Sequence, residues 1–319
     1  MNIFLKWIYS PLQLRILSNK NTAFRARHQA EHDAIDSKYT HKYVEAGGVN
    51  WHYVEMGKAD GTAVLLLHGL PESWYSWHAV LPLLDSSFHY IVPDMKGYGR
   101  STSFDIDYNW HHVADQTFSL MDALGTPKFY IVGHDWGALI SSVMVVDHPE
   151  RLLGYVRMEA DLKYTPGQSL EKLYAQKPQW KIFQDTARAV LFLSDAEKVI
   201  DVVYPSRMLT KLDSIDRNYF IFEFSRPGVA KAIANYFKFE NWDLEAAVTK
   251  IVNSTFSFPF LQLQADLDPA QPKENFSDIE KLFPNVRLEW VTNANHFDNL
   301  DQPEQVAKAI NRFLNTTDR

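Results

Sequence analysis

From about residue 45 onward the chain repeats one pattern, a short strand candidate followed by a turn and a helix-length segment, and this constrains its fold more than any other feature. The strand candidates are VNWHYVEMG, AVLLLHG, HYIVPDM, FYIVGHD and YVRMEA, each rich in β-branched or aromatic residues and bounded by Gly, Pro or Asp. Between them, SWYSWHAVLPLLD, NWHHVADQTFSLMDALG and ALISSVMVVDHPE carry apolar residues at helical spacing. Such alternation implies an α/β fold, a mostly parallel sheet covered by helices on both faces. After Ala160 the pattern gives way to helix-like, aromatic-rich sequence broken at Pro166, Pro178, Pro205 and Pro227, and it resumes with FPFLQLQAD and VRLEWVTN. The expected organisation is therefore a core over 45–160 and 251–319, an inserted helical cap over 161–250 and a helical N-terminal extension over 1–44. A block inserted at that point covers the C-terminal ends of the strands, where open α/β sheets place their ligand sites.

Composition narrows the function classes. Apolar residues make up 46% of the chain and aromatic ones 14%, enough for a large core and an apolar pocket. A net charge of −7 without a long run of Lys or Arg argues against a nucleic-acid partner. With no Cys there is no disulfide, thiolate metal site or thiol nucleophile, which fits a reducing, cytoplasmic location. The sequence has no cluster at zinc-ligand spacing and no Gly-rich phosphate loop, so neither metal nor cofactor is expected. In the N-terminal stretch MNIFLKWIYSPLQLRILSNK, the apolar runs are interrupted by Lys6, Pro11 and Arg15, too short to span a bilayer and unlike a signal peptide. The expectation is a helix-turn packed on the domain or over the pocket mouth, with weak membrane contact through residues 1–17 as the alternative.

The chemistry concentrates at Val132, Gly133, His134, Asp135, Trp136 and Gly137, after an apolar strand and before a helix. Glycines at these positions permit a sharp turn that thrusts the central side chain out of the backbone. That side chain is Asp135. A carboxylate nucleophile suits displacement at saturated carbon, forming an ester, where a serine would suit acyl transfer. Asp is also a common helix cap, and this is the competing role. An acid after a late strand and a His after the last strand complete the set in chain order. Asp268, in an Asp-Pro turn, and His296 occupy those places; Asp266 is the rival acid. After AVLLL come His68, Gly69, Leu70 and Pro71, so backbone N–H groups of Leu70 and Trp136 are the expected oxyanion hole. Glu72, Trp74 and Trp77 are expected to support the pocket floor.

HGLPESWYSW at 68–77, DMKGYGRS at 94–101, GHDWG at 133–137, Asp268-Pro269 and NHFDNLDQPEQV from 295 together resemble the epoxide hydrolase and haloalkane dehalogenase branch of the α/β-hydrolases over about residues 45–315. The resemblance implies attack of Asp135 on a substrate carbon and hydrolysis of the ester by water activated by His296, with Asp268 orienting the imidazole. It also implies a small apolar substrate, with water as second reactant. Epoxide opening needs O–H donors, which this family takes from two cap tyrosines; halide release needs N–H donors. Leu70 stands where a halide-binding Asn would, which favours an epoxide, although Trp180 could supply an indole donor. PQWKIFQD at 178–185 resembles the segment of the first cap tyrosine and has none; ANYFKFENW at 234–242 resembles the second and places Phe237 at its position, beside Tyr236. Tyr236 is the first choice as ring-opening donor, with Tyr174 and Tyr219 behind it and Lys181 as a further option. His68, Trp136, Trp180, Tyr174 and Phe237 are expected to contact substrate. A dehalogenase, and a biosynthetic or non-catalytic relative, remain as alternatives.

Overall fold

The computed structural model describes residues 11–160, 178–251, 254–276, 279–282 and 286–317. Their nine strands form one sheet: β1 Thr40–Ala46, β2 Val49–Gly57, β3 Ala63–Leu67, β4 His89–Pro93, β5 Thr102–Ser103, β6 Phe129–His134, β7 Leu152–Met158, β8 Phe260–Ala265 and β9 Val286–Val291. The order is β1-β2-β4-β3-β6-β7-β8-β9, with β5 pairing β2. The β1–β2 and β2–β4 ladders are antiparallel, and every ladder from β4 through β3 to β9 is parallel. This is the expected α/β-hydrolase architecture. Strands β3 and β6 are buried along their whole length, as continuous apolar runs flanked by helices on both faces should be. By contrast, β1 shows exposed and half-buried positions in alternation, since it is an edge strand of polar sequence. That polarity is why the sheet starts at Thr40, ahead of the boundary expected at residue 45: THKYVEA lacks an apolar run, and its place is fixed by pairing Thr40 with Glu55 through Ala46 with Val49.

Helices α2 Trp110–Ala123 and α3 Trp136–Asp147 follow the central strands. Between β7 and β8 lie the described cap helices α4 Pro178–Phe183, α5 Thr186–Leu193, α6 Ala196–Arg207, α7 Ser214–Phe224 and α8 Val229–Tyr236, and α9 Pro303–Thr317 closes the fold. Asp185 and Asp213 start α5 and α7 by accepting first-turn N–H groups, the service Asp gives at a helix start. The described part of the N-terminal extension is a helix, α1 Pro11–Asp36. It buries Phe24, His32 and Ile35 and lies along α7.

Arg100, from the loop after β4, joins three parts of the molecule. Its guanidinium donates to Asp36 at 2.8 Å, to Glu223 on α7 at 2.8 Å and to the Tyr219 hydroxyl at 3.1 Å. Glu223 also meets His32 at 2.6 Å and Arg226. Core, extension and cap thus share one ion cluster, in which the Glu223 side chain is 1% exposed. Removing one partner from such a cluster strands the opposite charge in a medium that cannot solvate it. Arg100→Met should therefore destabilise the protein by about 3 kcal/mol or more in urea unfolding; a change within experimental error would mean that the cluster holds nothing together.

Candidate active site

The sheet brings four loops to one edge, because β3, β6, β8 and β9 run parallel and end together. They deliver Leu70, Asp135, Asp268 and His296 respectively. At the end of β6 the backbone of Asp135 takes φ 50° and ψ −114°, and its side chain caps nothing. The competing role of this residue as a helix cap is therefore unfilled. The turn is so tight that a Cβ at Gly137 would lie 2.5 Å from the Leu67 carbonyl oxygen, and one at Gly69 would lie 2.5 Å from the Asp135 Cβ. Both glycines are demanded by this close approach.

Asp135 Oδ1 accepts the Leu70 N–H at 3.0 Å, and Oδ2 lies 3.1 Å from His296 Nε2. His296 Nδ1 lies 2.9 Å from Asp268 Oδ2. Asp266 does not take this place; its carboxylate lies with Lys273 and the Ala294 N–H. The Asp135 side chain keeps 22% of its surface exposed while His296 keeps 2%, so the carboxylate is the reachable end of the chain. Trp136 opens α3, and its N–H is among the first-turn donors that a helix leaves without an internal partner. Burial would raise the pKa of Asp135, but the His296 hydrogen bond, the charges of His296 and His134 and the Leu70 N–H outweigh it and hold the carboxyl well below the usual range. Burial would lower the His296 pKa; the hydrogen bonds to Asp135 and Asp268 outweigh this and raise it.

Other expected site residues fall elsewhere. His68 is fully buried and both of its nitrogens are used, Nδ1 on the Gly69 carbonyl at 2.9 Å and Nε2 on the Met95 N–H at 2.9 Å. It shapes the turn and does not face substrate, a correction to its expected contact role. Tyr236 is also fully buried and donates its hydroxyl to the Lys96 carbonyl at 3.1 Å, with its ring against Tyr98, Tyr108 and Trp136. The first-choice ring-opening donor is therefore a packing residue that ties α8 to the loop after β4. Tyr219 gives its hydroxyl to Asp36 at 2.6 Å, and Lys181 is exposed on the cap surface. Phe237 packs edge-on to Trp136 with centroids 4.9 Å apart, and half-buried Trp180 lies edge-on to Trp242 at 4.8 Å. Tyr174 lies outside the described residues.

Sequence reasoning missed a layer of buried charge behind Asp135. Glu72 accepts the Gly69 N–H at 2.6 Å and meets His134 Nδ1 at 3.0 Å, while His134 Nε2 lies 2.8 Å from the His296 carbonyl oxygen. With acceptors at both nitrogens, His134 is a cation. Burial would lower its pKa, but Glu72 overrides this and pushes it up to about 10. Glu159, at φ 49° after β7, places Oε2 3.9 Å from His296 Nδ1 and accepts from Gln264 and the Ala265 N–H. Burial, then the negative charges of Asp298 and Asp268, raise its pKa well above the ordinary value, so it is neutral. Donor atoms of Glu159, Asp268 and His296 lie within 4.8 Å of one another, but their bonds to each other and to the β8 end describe a proton-holding chain. The strand-end acid in YVRMEA was the available signal.

Apart from Asp135 itself, this layer has a measurable signature. A group whose folded pKa is raised contributes stability that is complete below its unfolded value and fades as pH rises through the folded one. For His134 that window runs from its ordinary 6.5 up to about 10. Thermal melting should show this loss in the native protein, and His134→Gln should lack it and be less stable at neutral pH by about 3 kcal/mol. Parallel pH profiles for the two proteins would contradict the assignment of the cation.

With the geometry established, the chain can be set beside known proteins. A family model described as the alpha/beta hydrolase fold matches residues 62–303. The chain is 25% identical over 315 residues to the bifunctional epoxide hydrolase 2 of Rattus norvegicus, a match covering 87% of this chain and 56% of that protein, so it spans little more than half of that relative. It is 27% identical over 296 residues to epoxide hydrolase 4 of Homo sapiens, covering 86% of this chain and 79% of that one. Among solved structures, an epoxide hydrolase of Vigna radiata matches with TM-score 0.76 at 23% identity, over 88% of this chain and 99% of that one. A haloalkane dehalogenase loop variant of Bradyrhizobium elkanii matches with TM-score 0.71 at 20% identity, over 88% and 97%. At these identities the structural likeness speaks for the fold.

Proposed function

The chain belongs to the α/β-hydrolase fold family, and on that premise we propose that it is an epoxide hydrolase converting a small apolar epoxide to a vicinal diol. The observation that carries this reading is an ionised, partly exposed Asp135 on a sharp turn, with no capping duty and with His296 and Asp268 in line behind it. Asp135 attacks an epoxide carbon, the C–O bond of the ring breaks, and the leaving oxygen takes a proton from a cap hydroxyl. Ester formation removes the negative charge on Asp135, and with it the main influence that raises the His296 pKa. The imidazole is then neutral and able to take a proton from water, while Asp268 stabilises the cation that forms. Hydroxide adds to the ester carbonyl, whose oxygen develops negative charge against the N–H groups of Leu70 and Trp136. Collapse breaks the ester C–O bond; the departing alkoxide takes the proton from the His296 imidazolium to complete the diol, and the proton left on the Asp135 carboxyl returns to the cap phenolate, restoring both groups.

Cap hydroxyls decide the leaving group. Those of Tyr219 and Tyr236 are committed to Asp36 and Lys96, so the donor role passes to Tyr174. Halide displacement is the second reading, favoured by the indoles of Trp136 and Trp180, both packed on Trp242, and opposed by the apolar side chain of Leu70; the Trp242 N–H is already given to the Tyr236 carbonyl.

In a single turnover in oxygen-18 water with excess enzyme, label should enter the Asp135 carboxylate, and His296→Gln should accumulate the ester as a mass adduct. Label confined to the product would mean direct attack by water and would sink the covalent mechanism. Tyr174→Phe should slow ester formation by about a hundredfold or more, the usual loss on removing a general acid, while Tyr236→Phe should stay within a few fold of native. The reverse ranking would return the donor to Tyr236, and halide release faster than diol formation would replace the epoxide reading with the dehalogenase one.

A further inference from the structure

The first two turns of α1 differ from the rest of the helix. Farther along, its exposed positions are polar, charged or alanine, such as Asn19, Lys20, Thr22, Ala23, Ala26, Arg27 and Gln29. At its start the outward residues are Leu12 and Ile16, 66% and 57% exposed and four apart, so that they stack on one face. Half-buried Leu14 and Leu17 flank them. Among the described residues, the polar bonds of α1 to the cap lie farther along the helix, where Lys20 pairs with Asp195 and Asn21 donates to Ser194. Leu12 is eight residues before Lys20, so it lies about 12 Å farther along the axis at 1.5 Å per residue.

Charge at this end runs against the rest of the chain. Up to Glu31 the sequence holds Lys6, Arg15, Lys20, Arg25 and Arg27 and no acidic residue, in a protein of net charge −7. Arg15 is exposed between Leu12 and Ile16. Immediately before α1 the sequence adds Ile3, Phe4, Leu5, Trp7 and Ile8 around Lys6. Apolar residues interleaved with cations, and no acid among them, match the interface of an anionic bilayer, where apolar groups enter the acyl boundary and long cationic side chains reach back to the headgroups.

We propose that the N-terminal end of α1, through Leu12, Arg15 and Ile16, docks this protein on the surface of an anionic lipid bilayer. No described helix is long and apolar enough to cross a membrane, so contact is peripheral and reversible. The proposal is independent of the reaction catalysed.

The test is flotation of the full chain with vesicles of phosphatidylcholine mixed with phosphatidylserine, and with phosphatidylcholine alone, at low and high salt. Native protein should float with the anionic vesicles, less so as salt screens the attraction, and weakly with the neutral ones. Arg15→Gln should weaken partition about fivefold, the share of one cation near an anionic surface. The double variant Leu12→Ser/Ile16→Ser should weaken it by more than about tenfold, the loss of two buried apolar side chains, with an unchanged melting temperature because both positions are exposed. Native protein that stays with the soluble fraction in every mixture, or a double variant that floats as the native does, would overturn the proposal. A native dimer that the double variant converts to monomer, without vesicle binding by either, would overturn it in favour of a second copy of the chain.

Discussion

Everything at the candidate site depends on one backbone turn. With φ at 50°, Asp135 lifts its carboxylate off the end of β6, away from the helix start that a capping Asp would serve. The turn closes only because Gly69, Gly133 and Gly137 let backbones approach to distances at which any Cβ would collide; at Gly133 the obstacle is the Ser141 hydroxyl, 2.4 Å away. Strain of this kind persists when the surroundings over-determine it. Here the buried ladders from β3 through β6 to β7 do so, fixing Leu67 opposite Gly133 and His134 opposite Met158.

The charge layer beneath the turn explains how a partly exposed carboxylate stays ionised at the end of a buried strand. Burial alone would protonate Asp135, and the cation at His134, kept charged by Glu72, opposes that from behind while His296 and the Leu70 N–H oppose it from the front. Glu72 also holds the Gly69 N–H, so one carboxylate fixes both the oxyanion turn and the charge under the elbow. Glu159 performs a complementary service as a neutral acid: it occupies the space near His296 Nδ1 without competing with Asp268 for the charge that the imidazole carries.

Much of the core was legible in the sequence, because its signals are local. A short apolar run such as AVLLL, bounded by turn residues, reads as a strand buried on both faces, and glycines flanking His134-Asp135-Trp136 between a strand and a helix mark a sharp turn. The chain order of Asp135, Asp268 and His296, each after its own strand, matches the elbow, acid and histidine pattern of this fold. What stayed hidden is non-local. THKYVEA joins the sheet through its pairing with β2 and not through its own apolarity, and nothing near Arg100 in the sequence announces Asp36 and Glu223 as its partners. The acid Glu159 was in view at a strand end, yet its neutrality depends on Asp268 and Asp298, far along the chain.

The cap was hardest to read for a related reason. A tyrosine is both a ring to pack and a hydroxyl to donate, and sequence cannot say which use the fold makes of it. In this protein such hydroxyls help to fasten the cap: Tyr236 to the Lys96 carbonyl of the core, Tyr219 to Asp36 of the N-terminal helix, and from the core side Tyr75 to Asp216 at 2.8 Å. Each bond satisfies a buried O–H that would otherwise cost free energy, and each removes a donor from the reaction. The replacement of an expected tyrosine by Phe237 belongs to the same economy, since a ring buried against Phe183 and Trp136 has no polar atom to satisfy. Under the proposed epoxide reading, the proton for the leaving oxygen comes from a hydroxyl that fastens nothing, and that requirement separates the residues that hold the cap from those proposed to act beneath it.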